Sequence, residues 1–423
     1  MIKKYNSRFF AIFLAFTLLL NAVCVFRPPD LLAAASSSMK IARISGENRY
    51  ETAIKVSQTG WKDAAIAIIA SGSDANLVDA LTIAPLARIM NAPILLTNGA
   101  DLTEATAQEL LRLNTETVYI ASGLGVINQR VRSQLERIGV RVIPLGGQNR
   151  FETALNIAKE IDRFRPVTTA LVSTAYSNVD ALSAASIAAQ NGWPILLSAP
   201  ESIPSDARVF LDNAAITKTY VIGGEGVVSD QVLRSLRSAE RLGGADRFAT
   251  NLEILKRFEN DMDFQNLYVA NGLNSHLVDS LVASSYIAGH PLLMVNNIRV
   301  ERPALTFLAG HPISTATALG GATVVSDEIL KSLNNQAISG GGSSGGSSGS
   351  SGGSSSKTPF LLKDGEDLII YTGGNYTPAR INAFEETIRT LTVDAAVLNG
   401  TVTVTDLTIE GDVLIKGGGE DSV

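Results

Sequence analysis

Between residues 40 and 336 the apolar positions fall into two alternating kinds of run. Short, wholly apolar stretches such as Ile195-Leu196-Leu197 alternate with longer ones in which apolar residues return every three or four positions. In the middle of this region the pattern predicts helix over 149–161, strand over 169–173, an Ala-rich helix over 180–191 and strand over 195–197. Helix over 205–214, strand over 219–222 and helix over 230–238 follow. Short strands that are apolar on both faces and separated by helices belong to a parallel sheet covered on both sides.

The pattern recurs. Arg43-Ile-Ser-Gly-Glu-Asn-Arg49-Tyr-Glu-Thr-Ala is matched by Leu145-Gly-Gly-Gln-Asn-Arg150-Phe-Glu-Thr-Ala and by Arg241-Leu-Gly-Gly-Ala-Asp-Arg247-Phe-Ala-Thr. The same interval separates Asp79, Asp180 and Asp279, each between Val and a small residue followed by Leu. It also separates Pro93, Pro194 and Pro291, and Gly123, Gly224 and Gly321. Four landmarks moving together define three tandem repeats, 41–140, 141–238 and 239–336. The fold class is therefore α/β: three Rossmann-like parallel-sheet repeats of about 100 residues, each long enough for a core of its own. A linear array and a closed pseudo-threefold ring both satisfy the pattern.

Outside the repeats the character changes. Residues 339–357 are Gly and Ser up to Ser356, a composition that buries nothing and reads as a flexible tether. Residues 358–423 form a small β-rich region, with helix expected over 378–391 and two short strands over 401–416. Its Gly-bounded Thr/Val strands are similar to rungs of a parallel β-helix. The region ends just past Gly417-Gly418-Gly419, as a short tail or as part of a larger domain. At the other end, Lys3, Lys4 and Arg8 precede an apolar run from Phe9 to about Leu20, and Leu32-Ala33-Ala34-Ala35 offers small residues at alternate positions. This is the layout of a signal peptide cut after Ala35. A retained membrane anchor fits less well because Asn21 interrupts the run, and a lipoprotein site at Cys24 less still, with Val23 before it.

Cutting there removes Cys24, the single cysteine, and with it disulfides, thiolate metal sites and cysteine nucleophiles. The removed segment carries a net +3, so the rest of a chain at −6 holds −9. An acidic exported chain is a poor partner for nucleic acid or, after signal cleavage, for an anionic membrane; any anionic polymer must be met by local basic clusters. No Gly-x-Gly-x-x-Gly follows a strand with an acidic residue at the right distance, and Gly223-Gly224-Glu225-Gly226 lacks the lysine of a P-loop. The repeats hold no His-Glu-x-x-His spacing or Gly-x-Ser-x-Gly elbow, and His276, His290 and His311 all lie in the third repeat. The sequence calls for no cofactor, no metal and no catalytic residue.

The arginine-bearing starts, the Asp-Ala-Leu motifs, the Pro-Ile-Leu-Leu strands and the Gly-Gly strand ends resemble the type 2 cell wall binding repeat, found in three copies on clostridial and bacillar surface proteins. The resemblance covers residues 41 to about 335. It implies non-covalent anchoring of an exported surface protein to anionic wall polysaccharide or teichoic acid. The alternatives are the targeting part of a secreted wall hydrolase or its activator, and a self-assembling surface-layer component. Pro144 in place of the first arginine, Asp279-Ser280-Leu281 and Ala249 depart from the pattern.

Within the repeats, Asn48 and Asn149 suit helix N-caps, with Glu51 and Glu152 completing capping boxes. Tyr50, Phe151 and Phe248 suit core packing. Arg49, Arg150 and Arg247 need a further reason, because a cation at a helix N-terminus opposes the macrodipole. Either a carboxylate of the neighbouring repeat or an anionic ligand, helped by free helix N–H groups, would supply it. Asp79, Asp180 and Asp279 read as N-caps, as ligand groups at strand ends, or as partners of those arginines. These six are the candidate binding residues. Mass spectrometry of the secreted protein is expected to find Ser36 at its N-terminus; a retained Met1 would refute the signal-peptide reading.

Overall fold

A computed structural model describes residues 39–73, 76–77, 80–273, 276–296 and 299–339 (335–339 as helix backbone only), with short strand segments between 361 and 415. The strands of the repeats are β1 (Lys40–Ile44), β2 (Ile66–Ser71), β3 (Ile94–Thr97), β4 (Thr117–Ile120), β5 (Arg141–Pro144), β6 (Thr169–Thr174), β7 (Ile195–Ser198), β8 (Lys218–Ile222), β9 (Ala239–Leu242), β10 (Asn266–Asn271), β11 (Leu292–Val295) and β12 (Thr315–Leu319). They form three parallel four-stranded sheets, β3-β2-β4-β5, β7-β6-β8-β9 and β11-β10-β12-β1. The inner strands are buried on both faces, as their apolar sequences require, and helices cover them.

Each sheet takes three strands from one repeat and its fourth from the start of another. β5 and β9 are simply the next strands along the chain. The third sheet is completed by β1, which runs parallel to β12 with Lys40 opposite Thr315 and Ile44 opposite Leu319. The array is therefore a closed ring, and sheet and sequence repeat are offset by one strand. Arginine reinforces two of the three joints. Arg43 donates to the carbonyls of Gly320 (2.8 Å) and Val325 (2.9 Å) and to Asp327 (2.8 Å). Arg241 likewise donates to the Gly223 carbonyl and to Asp230, both at 3.0 Å. At the joint between the first and second repeats Pro144 stands for the arginine and Gln129 for the aspartate, so the pair is present or absent as a unit.

Instead of three separate cores, one hydrophobic cluster runs from Ala53 to Leu319 through all three repeats, with a second in the third repeat that also takes in Met39 and a small one around Val221, Val228 and Val232. The repeats also bond directly: Ser186 Oγ donates to the carbonyls of Ile287 (3.0 Å) and His290 (2.6 Å), and Ser285 Oγ to that of Ala92 (3.2 Å). The helix expected over 180–191 is two, Asn178–Ser183 and Ala185–Asn191, with Ala184 between them.

The region after the tether differs from expectation in detail. The end of the stretch expected to be helical is strand, Thr387–Ile388 and Thr390–Val393, in keeping with its Thr and β-branched content. Residues 401–416 hold three short strands among the described residues, Val402–Val404, Thr408–Ile409 and Val413–Ile415. Asp367–Ile370, Thr390–Val393 and Val413–Ile415 pair in parallel in that order, as stacked coils do. The expected signal peptide lies outside the described residues, as does the tether apart from Ser339, which ends the last helix of the third repeat.

Replacing Arg43 with Gln removes two bonds to backbone carbonyls. Asp327 is 63% exposed and adds little. Stability is expected to fall by roughly 1–2 kcal/mol in urea unfolding, with faster amide exchange along Thr315–Leu319. Unchanged stability would mean that the β1–β12 ladder closes the ring unaided.

Candidate functional site

The motif that opens each repeat builds the same turn. Asn48 accepts from the N–H groups of Tyr50 and Glu51, Asn149 from those of Phe151 and Glu152, and Asp246 from that of Ala249. Thr52, Thr153 and Thr250 accept from Gly46, Gly147 and Gly244 N–H at 3.0–3.1 Å. Glu51 and Glu152 reach back to the N–H of Glu47 (3.1 Å) and Gln148 (2.8 Å), one residue before the cap rather than to the cap itself. These helix-start amides are thus occupied by the protein's own side chains and are not open to an anion, contrary to the expectation from sequence.

The arginines have a partner that the sequence did not suggest. Arg49 donates to the Gly72 carbonyl (2.6 Å), Arg150 to Ala175 (2.7 Å) and Arg247 to Gly272 (2.9 Å). Each carbonyl lies one residue past the second strand of the same repeat. A negative partial charge at a strand end offsets the unfavourable position of the cation on its helix. Tyr50, Phe151 and Phe248 pack against the common core, as expected.

The aspartates are not N-caps. Asp180 is the third residue of the Asn178–Ser183 helix and Asp279 the second of Val278–Ala283, because both helices start earlier than the sequence suggests. Both side chains are buried, the residues being 6% exposed. Gly223 and Gly320, at positive φ of 114° and 97°, lie against the two carboxylates, where a side chain would collide. Asp79 lies outside the described residues; Ser122 holds the place of those glycines in the first repeat.

Aspartate and arginine from different repeats meet at the joints. Asp180 and Ser177 of the second repeat share a cleft of about 420 Å³ with Arg247, Asp246 and Thr250 of the third. Asp279 and His276 of the third repeat share one of about 180 Å³ with Glu47, Arg49 and Thr52 of the first. Both open at the carboxyl ends of the strands, where parallel α/β sheets place ligands. Burial pushes the Asp180 carboxyl up to about 6, against the opposing pull of the Ser177 hydrogen bond and the Arg247 charge. His276, Ser177 and the Gly224-Glu225-Gly226 loop also line the clefts, a role that sequence reasoning did not give them.

Residues 43–132, 145–233 and 241–330 each match the family described as Cell wall binding domain 2. The chain belongs to that family. Cell wall binding domain 2 is thus the repeating unit here: a non-catalytic binding domain of proteins located at the wall or cell surface. The chain is 29% identical over 308 residues to the N-acetylmuramoyl-L-alanine amidase LytC of Bacillus subtilis, covering 72% of this chain and 60% of that protein. It is 27% identical over 299 residues to the amidase enhancer of the same organism, covering 70% and 40%. Among solved structures, Cwp6 from Clostridium difficile matches with a TM-score of 0.66 at 30% identity, over 71% of this chain and 48% of that one. Cwp8 from the same organism matches with a TM-score of 0.64 at 27% identity, over 70% and 52%. The chain therefore spans less than two thirds of the length of each of these relatives.

The raised Asp180 pKa has a definite sign. The folded state holds this proton more tightly than the unfolded chain does. The resulting stability is fully present below the ordinary aspartate value of 3.8 and is lost as pH rises through about 6. Asp180→Asn stays neutral throughout. Its stability relative to the wild type is expected to rise between pH 4 and pH 7 by on the order of 3 kcal/mol, read from paired urea melts. A difference independent of pH would show that the carboxyl is not perturbed.

Proposed function

We propose that the chain anchors an exported protein non-covalently to the bacterial wall by binding anionic polymer, a teichoic acid or secondary wall polysaccharide, in the clefts between its repeats. The observation that carries this reading is the recurrence at the joints of a guanidinium and a buried carboxylate from different repeats, at the carboxyl ends of parallel strands. Arg49, Arg150 and Arg247 present the cationic surface. Nη1 of each is fixed by a backbone carbonyl, which holds the guanidinium plane in place for a second, charge-assisted contact. Asp180 and Asp279 set the opposite wall, and Asp79 is their counterpart by sequence in the first repeat. Three sites on one ring would act together on one polymer, so modest individual affinities sum to firm retention. The signal peptide would deliver the protein, and the Gly/Ser tether would carry the C-terminal region clear of the wall-bound ring. The chain itself is not an enzyme in this reading.

A second reading is favoured by the names of two relatives, an amidase and an amidase enhancer, both longer than the matched segment. In that reading the ring is the targeting part of a wall hydrolase or of its activator. Hydrolysis of purified peptidoglycan by the full chain would establish it.

Anchoring is tested by sedimenting the purified protein with isolated walls. Retention is expected to fall with added salt, because the contacts are ionic. Replacing Arg49, Arg150 and Arg247 together with Lys keeps the charge but loses the two-pronged geometry, and is expected to weaken retention about tenfold or more. Thermal melting in parallel separates the roles. Lower melting with unchanged retention would confine the arginines to holding the strand ends.

A further inference from the structure

The clefts share a plan but not a lining. The larger, between the second and third repeats, sets three carboxylates, Asp180, Glu225 and Asp246, against the guanidinium of Arg247. The smaller sets Glu47 and Asp279 against Arg49, with His276 beside them. Arg247 already donates to Gly272, so its charge is partly engaged. A phosphate or uronate entering the larger cleft would meet surplus negative charge. Carboxylates are instead acceptors for hydroxyl or ammonium hydrogens, and Asp246 keeps Oδ2 for this after its Oδ1 has capped the helix. The cleft volume of about 420 Å³ lies within the range of small-molecule pockets.

A second, independent difference is Tyr176. It stands one residue before the cleft-lining Ser177, in the turn that leaves β6, and is 67% exposed. The corresponding residues of the other repeats are Ala75 and Ser275. Exposed to this extent, the ring contributes little to the core; it offers a flat apolar face with a polar tip beside a polar cleft. That combination complements a pyranose, which has an apolar C–H face and a rim of hydroxyls.

We propose that this cleft is a sugar-ring subsite, in which Tyr176 stacks on an uncharged or amine-bearing pyranose of the wall polymer while Glu225 and Asp246 accept its hydroxyl or ammonium hydrogens. The proposal rests on the anchoring reading and narrows it. The ligand is a polymer of sugar rings rather than a bare polyol-phosphate chain, and its anionic groups lie outside this cleft.

The test is sedimentation of the full chain with isolated walls, untreated or oxidised with periodate, which opens sugar rings that carry neighbouring hydroxyls. Tyr176→Ala is expected to weaken retention about tenfold, by the same factor at low and high salt, because stacking is not screened. Its melting temperature should match the wild type, and Tyr176→Phe should retain most of the binding. Oxidised walls should hold the wild type as weakly as untreated walls hold Tyr176→Ala. Undiminished retention of Tyr176→Ala, a loss confined to low salt, a fall in its melting temperature that accounts for the loss, or full retention of the wild type on oxidised walls would each overturn the subsite. A wild type that no wall retains would instead defeat the anchoring reading beneath it.

Discussion

Each repeat carries only three of the four strands that its sheet uses. Without the fourth, the buried β4, β8 and β12 would stand at the edge with unpaired N–H and C=O groups. The short strands that take the edge instead mix charged with apolar residues, which discourages foreign chains. Here the edges of β4, β8 and β12 are covered by β5, β9 and β1. Each covering strand runs on through a tight turn into the helix that begins with Arg150, Arg247 or Arg49. Covering the edge thereby brings the start of one repeat against the strand ends of another. The joints, the clefts and the shared core all follow from this exchange of a strand.

The same geometry governs the polar chemistry. In the turn that opens each repeat, Asn, Thr and Glu side chains of the motif take up the helix-start amides. What remains for the cleft is charge: a guanidinium steadied by a carbonyl and a carboxylate sunk beneath a glycine. The carboxylate is held against its own desolvation, which is why Asp180 titrates so far above an ordinary aspartate. Arrangements of this kind store unfavourable electrostatics at a site and let the surrounding framework hold them in place.

Much of this was legible in the sequence. The repeats, the buried inner strands and the helices between them are written in apolar runs and recurring motifs, because full burial leaves little choice of side chain. The covering strands were not legible. Lys40–Ile44, Arg141–Pro144 and Ala239–Leu242 lie at sheet edges, half exposed, and mix charged with apolar residues, so neither periodicity marks them. Ring closure was hidden with them, since it depends on β1 finding β12. The six candidate site residues were picked out by recurrence, but the backbone partners of the arginines were not: no pattern of side chains announces that Arg49 will bond to the Gly72 carbonyl. The aspartate caps failed for another reason: the helices of Asp180 and Asp279 begin two or three residues early, after Ser177 and Leu277, neither of which makes a side-chain cap bond.

The closing strand also imposes a timetable. Lys40 is among the first described residues to be synthesised and its partner Thr315 among the last. β5 and β9 follow their sheets directly along the chain and can dock as soon as they appear, whereas β1 waits while two sheets form behind it. Contacts between residues so distant in sequence form slowly, because a long loop must close before they contribute. Delivery of the chain from its N-terminus therefore sets the order in which the clefts mature. The joint between the first and second repeats comes first, and the one holding Arg49 and Asp279 comes only when the earliest strand meets the latest.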